Sequence, residues 1–182
     1  MKLTITITII SFLLSINCAL YGQTINNKKN TPQFFPLKVG NYWVYSYSNH
    51  PGKIDTIKIT KKKILGLDTA YFYNSNLWLE RNDTIYEFQS QRIGYSFPTI
   101  QYFPSDKETE FGAMMGGDVL GLRTVKKLEG SYKVNGKEYF DCYEFKGKSE
   151  NGFYHIVISR GIGIIESGMH NRIRTLIDYK IE

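Results

Sequence analysis

From Phe34 onward this chain alternates apolar and polar residues, and turn-forming residues break the pattern every roughly 8 to 15 positions. A strand turns successive side chains to opposite faces, so period-2 alternation specifies ribbons with one buried and one wet side. No long segment shows the 3.6-residue apolar period of an amphipathic helix. Trp43, Tyr45 and Tyr47 share one strand face, with Val44, Ser46 and Ser48 on the other, and Asn49-His50-Pro51-Gly52 supplies turn chemistry directly afterwards. Near the end, Ile173, Thr175, Ile177, Tyr179 and Ile181 alternate with Arg172, Arg174, Asp178 and Lys180, with Leu176 as the exception. Asn135-Gly136 predicts a type I′ hairpin between residues 131–134 and 137–145, because that turn needs positive φ at both central residues. With reversals at Glu150-Asn151-Gly152 and His170-Asn171, the C-terminal third reads as a meander of four strands. The expectation is an all-β, single antiparallel domain over residues 34–182, a strongly curved sheet or incomplete barrel of about nine or ten strands, with a β-sandwich as the alternative.

The first residues carry a different signal. Lys2 precedes an apolar run over residues 4–14 that ends in small and polar residues. At roughly 11 residues it is shorter than the about 20 a spanning helix needs, and it reads as a secretory signal peptide. Cleavage after Gly22 gives a leader of residues 1–22 and a free secreted or periplasmic protein beginning at Gln23. The alternative is a lipoprotein anchored through Cys18, since Leu14-Ser15-Ile16-Asn17-Cys18 resembles a lipobox, with Asn17 where Gly, Ala or Ser is usual. Residues 23–33, rich in Asn, Lys and Thr, read as a flexible tether. No other segment approaches a transmembrane span. Removing the leader leaves Cys142 as the sole remaining one of two cysteines, so no intramolecular disulfide is expected. Cys142 then reads as a small buried hydrophobe.

A net charge of +6 is basic without being extreme, and the lysines of residues 58–63 are interleaved with Ile59, Thr60 and Ile64 as on the wet side of a strand. With export and no nucleic-acid module, no nucleic-acid partner is expected. His50, His155 and His170 lack metal-ligand spacing, and neither a G-x-S-x-G elbow nor a dinucleotide fingerprint is present, Gly161-Ile162-Gly163 lacking a third glycine and a following helix. No catalytic residue, metal or cofactor is therefore assigned. Asp106, Glu108 and Glu110 would align on one strand face, but without the oxygen ligands of a calcium loop they read as solvated.

Aromatic residues make up 15% of the chain, more than one core face requires. Tyr71, Tyr73, Trp78, Tyr95, Tyr102 and Phe103 are the candidate ligand-binding aromatics, for an apolar ligand or a glycan whose rings stack on them. Residues 95–120 read as a long loop in which Met114 and Met115, beside paired glycines, provide an adaptable contact. Asp55-Thr56-Ile57, Asp68-Thr69-Ala70 and Asp83-Thr84-Ile85 each begin a run of β-forming residues, with Asp capping a turn and Thr entering the strand. They also resemble the acceptor sites of the O-glycosylation system of exported Bacteroidota proteins, which would place sugars on Thr56, Thr69 and Thr84.

Two segments carry a family resemblance: Phe35-Pro36-Leu37-Lys38-Val39-Gly40-Asn41-Tyr42-Trp43-Val44-Tyr45 and Ser159-Arg160-Gly161-Ile162-Gly163-Ile164-Ile165-Glu166. Together they resemble an uncharacterised group of bacterial secreted proteins and lipoproteins, common in the Bacteroidota, with an N-terminal FPLxxGNxWxY strand and a C-terminal GIG strand. The resemblance implies a compact β-sheet protein outside the cytoplasm and brings no site residues with it. Physically, Gly40 and Asn41 would turn the chain into the first strand. Trp43 would fill the core between sheet layers, and Gly161 and Gly163 would let an aromatic or backbone come close.

The function expected from these residues is a non-enzymatic exported or envelope-associated protein that binds a ligand on its aromatic face. A secreted hydrolase acting on glycans or peptides is one alternative. The other is a structural or assembly module that offers an edge strand to a partner chain.

Overall fold

A computed structural model describes residues 32–88, 100–115, 118–149, 152–169 and 172–182. The described residues form an all-β protein of antiparallel sheets, not a closed barrel. The strands are β1 (Tyr42–Tyr47), β2 (His50–Lys58), β3 (Lys62–Leu65), β4 (Asp68–Tyr73), β5 (Asn76–Arg81), β6 (Thr84–Phe88), β7 (Ile100–Tyr102), β8 (Thr109–Met115), β9 (Asp118–Lys127), β10 (Ser131–Val134), β11 (Lys137–Phe140), β12 (Cys142–Ser149), β13 (Gly152–Ser159), β14 (Gly163–Met169) and β15 (Arg172–Lys180). Eight form one sheet in the order β2-β1-β15-β14-β13-β12-β9-β8, and five form a second in the order β3-β4-β5-β6-β7. The remaining pair is the hairpin β10–β11.

Fifteen strands occur among the described residues, where about nine or ten were expected. One reason is Asp141, whose φ of 48° interrupts the expected strand over residues 137–145. The left-handed conformation ends β11 and releases β12 into the large sheet, so the two halves pair with different partners. The expected long loop at residues 95–120 is corrected too. Residues 89–99 lie outside the description, but β7, β8 and β9 occupy most of the rest, with β8 and β9 paired from Thr109↔Val125 to Met115↔Asp118. The lysine run at residues 58–63 spans the passage from β2 in the large sheet to β3 in the small one, and Ile59 within it is fully buried.

The turn chemistry is read correctly in several places. Asn135 and Gly136 have φ of 50° and 76°, as a type I′ turn requires. Asn82 and Asp83 (φ 52° and 59°) make the same turn between β5 and β6, so Asp83 turns and Thr84 enters the strand. Strands β12 to β15 form a meander of four strands, but not the expected four: β10–β11 is a separate hairpin, and a further reversal at residues 160–162 splits the segment after residue 152 into β13 and β14, while the reversals at residues 150–151 and 170–171 lie outside the described residues. Cys142 is buried and free.

The inner faces of the two sheets meet in a chain of aromatic rings. Trp43 packs on Phe35 at 5.4 Å between centroids and on Tyr73 of the small sheet at 5.3 Å. Trp78 lies 5.1 Å from Phe35 and 4.4 Å from Tyr73, and Tyr102 lies 5.3 Å from Phe145 back in the large sheet. Such pairs contribute about 0.5–1.5 kcal/mol each beyond the area they bury. Gly163 is the condition for this packing. A Cβ there would lie 2.9 Å from Phe35 Cζ and 3.1 Å from Trp43 Nε1, at a φ of 106° that already disfavours other residues. Trp43 Nε1 donates to the Ile162 carbonyl at 2.6 Å, so the ring is fixed to the strand it approaches. Asn41, fully buried, joins both ends of the domain: its Nδ2 donates to the Pro36 carbonyl at 2.7 Å and its Oδ1 accepts from the Glu182 amide at 3.0 Å.

The last strand departs from its sequence pattern. Tyr45 pairs with Leu176 while Val44 pairs with Asp178, so Ile177 is an extra residue and strict alternation breaks there. Leu176, the exception in sequence, is fully buried, and Arg174 lies on the inner side with its guanidinium 4.4 Å from the centroid of the Tyr45 ring. On the other face, the hairpin β10–β11 covers the sheet: Asn135 Nδ2 donates to Thr175 Oγ1 at 3.1 Å and to the Leu176 carbonyl at 3.0 Å.

The packing at Gly163 yields a paired prediction. Gly163→Ala combines overpacking with an unfavourable φ and is expected to lose roughly 3 kcal/mol or more. Gly136→Ala, with nothing within 4 Å of the added Cβ, loses only the backbone part, about 1–2 kcal/mol. Urea denaturation of the two variants measures the gap, and equal losses would contradict the close approach.

Candidate functional site

At one end of the aromatic chain the two sheets part around a cavity of about 420 Å³. Pockets for small molecules span roughly 300–1,000 Å³, so this one falls at the compact end. The small sheet and the turn after β4 contribute Tyr73, Asn74, Asn76, Trp78, Glu87, Ile100 and Tyr102. The large sheet contributes Tyr47, Tyr154, Ile156, Ser167, Met169, Arg172 and Arg174 among others. Strand parity explains the second set. Tyr154 pairs with Met169, Met169 with Arg172 and Ser167 with Arg174, and partners directly opposite in an antiparallel ladder share a face.

Three of the candidate aromatics, Tyr73, Trp78 and Tyr102, are brought together in this lining. They do not form an open stacking platform. All three are at most 4% exposed, Trp78 stacks on Tyr102 at 5.7 Å, and Tyr73 packs against Trp78, so the rings occupy one another's faces. Tyr71 and Phe103 are half-buried at the margin of the core and do not line the cavity. Tyr95 lies outside the described residues. Met114 and Met115 fall in β8, and their side chains also lie outside the description. Thr56 is exposed on β2, whereas Thr69 and Thr84 are half-buried at the starts of β4 and β6.

The groups with most chemical consequence here are polar ones absent from the sequence expectation. Glu87, only 8% exposed, accepts from Asn76 Nδ2 at 2.5 Å. Burial pushes its carboxyl above the ordinary range, although the Asn76 amide and the Arg123 charge oppose the shift. The Trp78 indole N–H and the Tyr154 hydroxyl are buried and make no hydrogen bond of good geometry among the described residues; the indole N–H faces Glu87 and the hydroxyl faces Arg123. Tyr45 OH donates to the Ile164 carbonyl at 2.9 Å, so in its 3.1 Å contact with Tyr73 OH it must accept. Burial, chiefly, holds the Tyr73 phenol neutral, its pKa pushed up to about 12. Tyr154 lies over Gly147, its cross-strand partner, where a Cβ would collide with the ring. A strand glycine opposite an aromatic is a sequence signal by which Tyr154 could have been found; that Glu87 turns inward had none.

A second polar cluster lies on the opposite face of the large sheet. His155 Nε2 and Glu166 Oε1 are 2.8 Å apart, and Tyr132 of the hairpin donates to the same oxygen at 2.8 Å. The His155 ring lies across Gly168, where an added Cβ would meet its Cε1 at 2.7 Å. The hydrogen bonds from His155 and Tyr132 lower the Glu166 pKa, and the cluster fastens the hairpin to the sheet. Asp106 is exposed and pairs with Lys127 at 3.6 Å, and Glu108 and Glu110 are exposed as well. Among the described residues there is no group of metal-ligating side chains and no helix long and apolar enough to cross a membrane.

Comparison with known proteins adds little. No family model matches, and no curated protein matches. A crystal structure described as that of a candidate lipoprotein from Parabacteroides distasonis ATCC 8503 is similar over 84% of this chain and 100% of its own, at 12% identity and a TM-score of 0.35.

Burial of Glu87 makes a stability prediction. Its raised pKa means that the ionised carboxylate is disfavoured in the fold, so it destabilises above the folded pKa and ceases to do so below about 4.5, the ordinary value. Glu87→Gln keeps the acceptor for Asn76 and removes the charge. The variant should be more stable than the parent at pH 7, with the gain vanishing by pH 4; a loss of stability at both pH values would contradict the assignment.

Proposed function

We propose that this is an exported, non-enzymatic binding protein whose ligand, a small saccharide, occupies the cavity between the two sheets. The observation that carries the reading is one concavity whose lining places Glu87 and Asn76 of the small sheet opposite Ser167, Arg172 and Arg174 of the large one, with packed rings between them. Sugars present many hydroxyls that donate and accept at once, and Glu87, Asn76, Ser167 and Arg174 supply both complements. The packed ring faces favour this over a purely apolar ligand. Glu87 is the one carboxylate among the lining residues, whereas glycoside hydrolysis uses two acidic groups flanking the scissile bond. The His155–Glu166 pair engages the hairpin on the other face and does not supply the missing group. These points favour binding over hydrolysis.

Export rests on the leader-like residues 1–22 and on the resemblance to secreted Bacteroidota proteins. N-terminal sequencing and intact mass of protein recovered from the native host test it. A start at Gln23 is the expected result, and a start at Cys18 with added acyl mass would replace the free form with the lipoprotein. A mass above the bare polypeptide without acylation would place sugars on Thr56, Thr69 and Thr84, of which Thr56 is the most accessible.

Binding is tested by titrating mono- and disaccharides while following tryptophan fluorescence and heat. Trp78 lines the cavity and Trp43 is held in the core, so a ligand should shift emission through Trp78. Asn76→Ala, which removes the Glu87 partner, should weaken binding about tenfold, the cost of one charge-assisted hydrogen bond. No heat and no spectral change across the panel would overturn the reading.

A further inference from the structure

We infer that the ligand of this cavity is an acidic sugar, held with its carboxylate at the β15 rim and its hydroxyls toward Glu87; the inference rests on the saccharide reading above. The two ends of the cavity differ in charge. At the rim, Arg172 and Arg174 lie two residues apart on the inner side of β15, and both line the space. Arg174 is held from three directions. Its guanidinium stacks on Tyr45, its Nε donates to Ser167 Oγ at 3.1 Å, and its Nη1 is 3.6 Å from Asp55 Oδ2. Its Nη2 makes no hydrogen bond among the described residues. Arg172 is exposed and forms no ion pair among them, and Lys53 lies over the Tyr47 ring at 5.0 Å, adding a third cation to the same rim. Asp55 is the anion set against these three, and it also accepts from Tyr47 OH at 3.3 Å. The rim therefore carries an excess of positive charge with one guanidinium already immobilised, the arrangement that recognises a carboxylate.

The inner end carries no such excess: Glu87 stands there against the Arg123 charge, and the Arg123 guanidinium lies 4.7 Å from the centroid of the Tyr154 ring. Glu87 and Asn76, hydrogen-bonded to each other, line this end and can accept from and donate to hydroxyls. A neutral sugar would satisfy these groups and leave the arginines solvated. An acidic sugar would engage both ends, and the excess of cations at the rim would fix where its carboxylate rests. Charge thus orients the ligand as well as attracting it.

Calorimetry on the full mature chain with galactose, galacturonic acid, the methyl ester of galacturonic acid and trigalacturonic acid tests this. Galacturonic acid should bind about tenfold more tightly than galactose or the methyl ester, the worth of one charge-assisted contact, and the preference should shrink as salt is raised. Arg172→Ala, a change at an exposed side chain, should bring the affinity for galacturonic acid close to that for its methyl ester and flatten the salt dependence. Tighter binding of the trimer would assign the site to polymer ends, and preference for the monomer to free sugar acids; both support the inference. Equal affinity for acid, ester and galactose would overturn it and leave the saccharide reading standing. Binding of none of the four would overturn both.

Discussion

The ring contacts that run from Phe35 through Trp43, Tyr73 and Trp78 to Tyr102 and Phe145 join the two sheets, and everything else in the structure is arranged around them. They need bulk on both sheets and an absence of bulk at Gly163, where Phe35 and Trp43 come closest to the backbone. Neither sheet can form this core alone. Trp43 comes from the large sheet, Tyr73 and Trp78 from the small one, and Phe35 from the segment leading into β1, so the segment before the first strand is as much a part of the core as the strands are.

The cavity is a consequence of the same layering. Where the rings stop filling the gap, polar residues on both inner faces remain, and the fold leaves some of their hydrogen-bonding capacity unused. A core built for stability alone would pair or replace such groups, because a buried donor without an acceptor is costly. Trp78 does both jobs: its ring packs in the core and also lines the cavity. The candidate site is therefore continuous with the core and rests on rigid strands, which limits how far its geometry can drift.

Much of the architecture was legible in the residues. Trp43 and Tyr45 are buried as their alternation predicts, Asn135-Gly136 turns as its φ requirement predicts, and Gly163 admits an aromatic as a strand glycine can. The site was legible only in part. Tyr73, Trp78 and Tyr102 were picked out as surplus aromatics and do line the cavity, but they were expected as exposed faces, and their faces are in use. Glu87, Asn76, Tyr154 and Arg174 were not picked out at all. An isolated Glu or Arg in an alternating strand looks like a solvated position, and Arg174 in particular sits in what reads as the charged face of β15.

Period-2 alternation and the positive-φ turns were enough to specify antiparallel ribbons and many of their reversals, because both are local properties of the backbone and the side chains next to it. Which face of a ribbon is buried, where Ile177 shifts the register, and which polar groups meet across the gap depend on the partner strand and the opposing sheet. Those are long-range choices. Leu176 and Arg174 went inward because Tyr45 and the small sheet waited there, and no run of neighbouring residues could have encoded that.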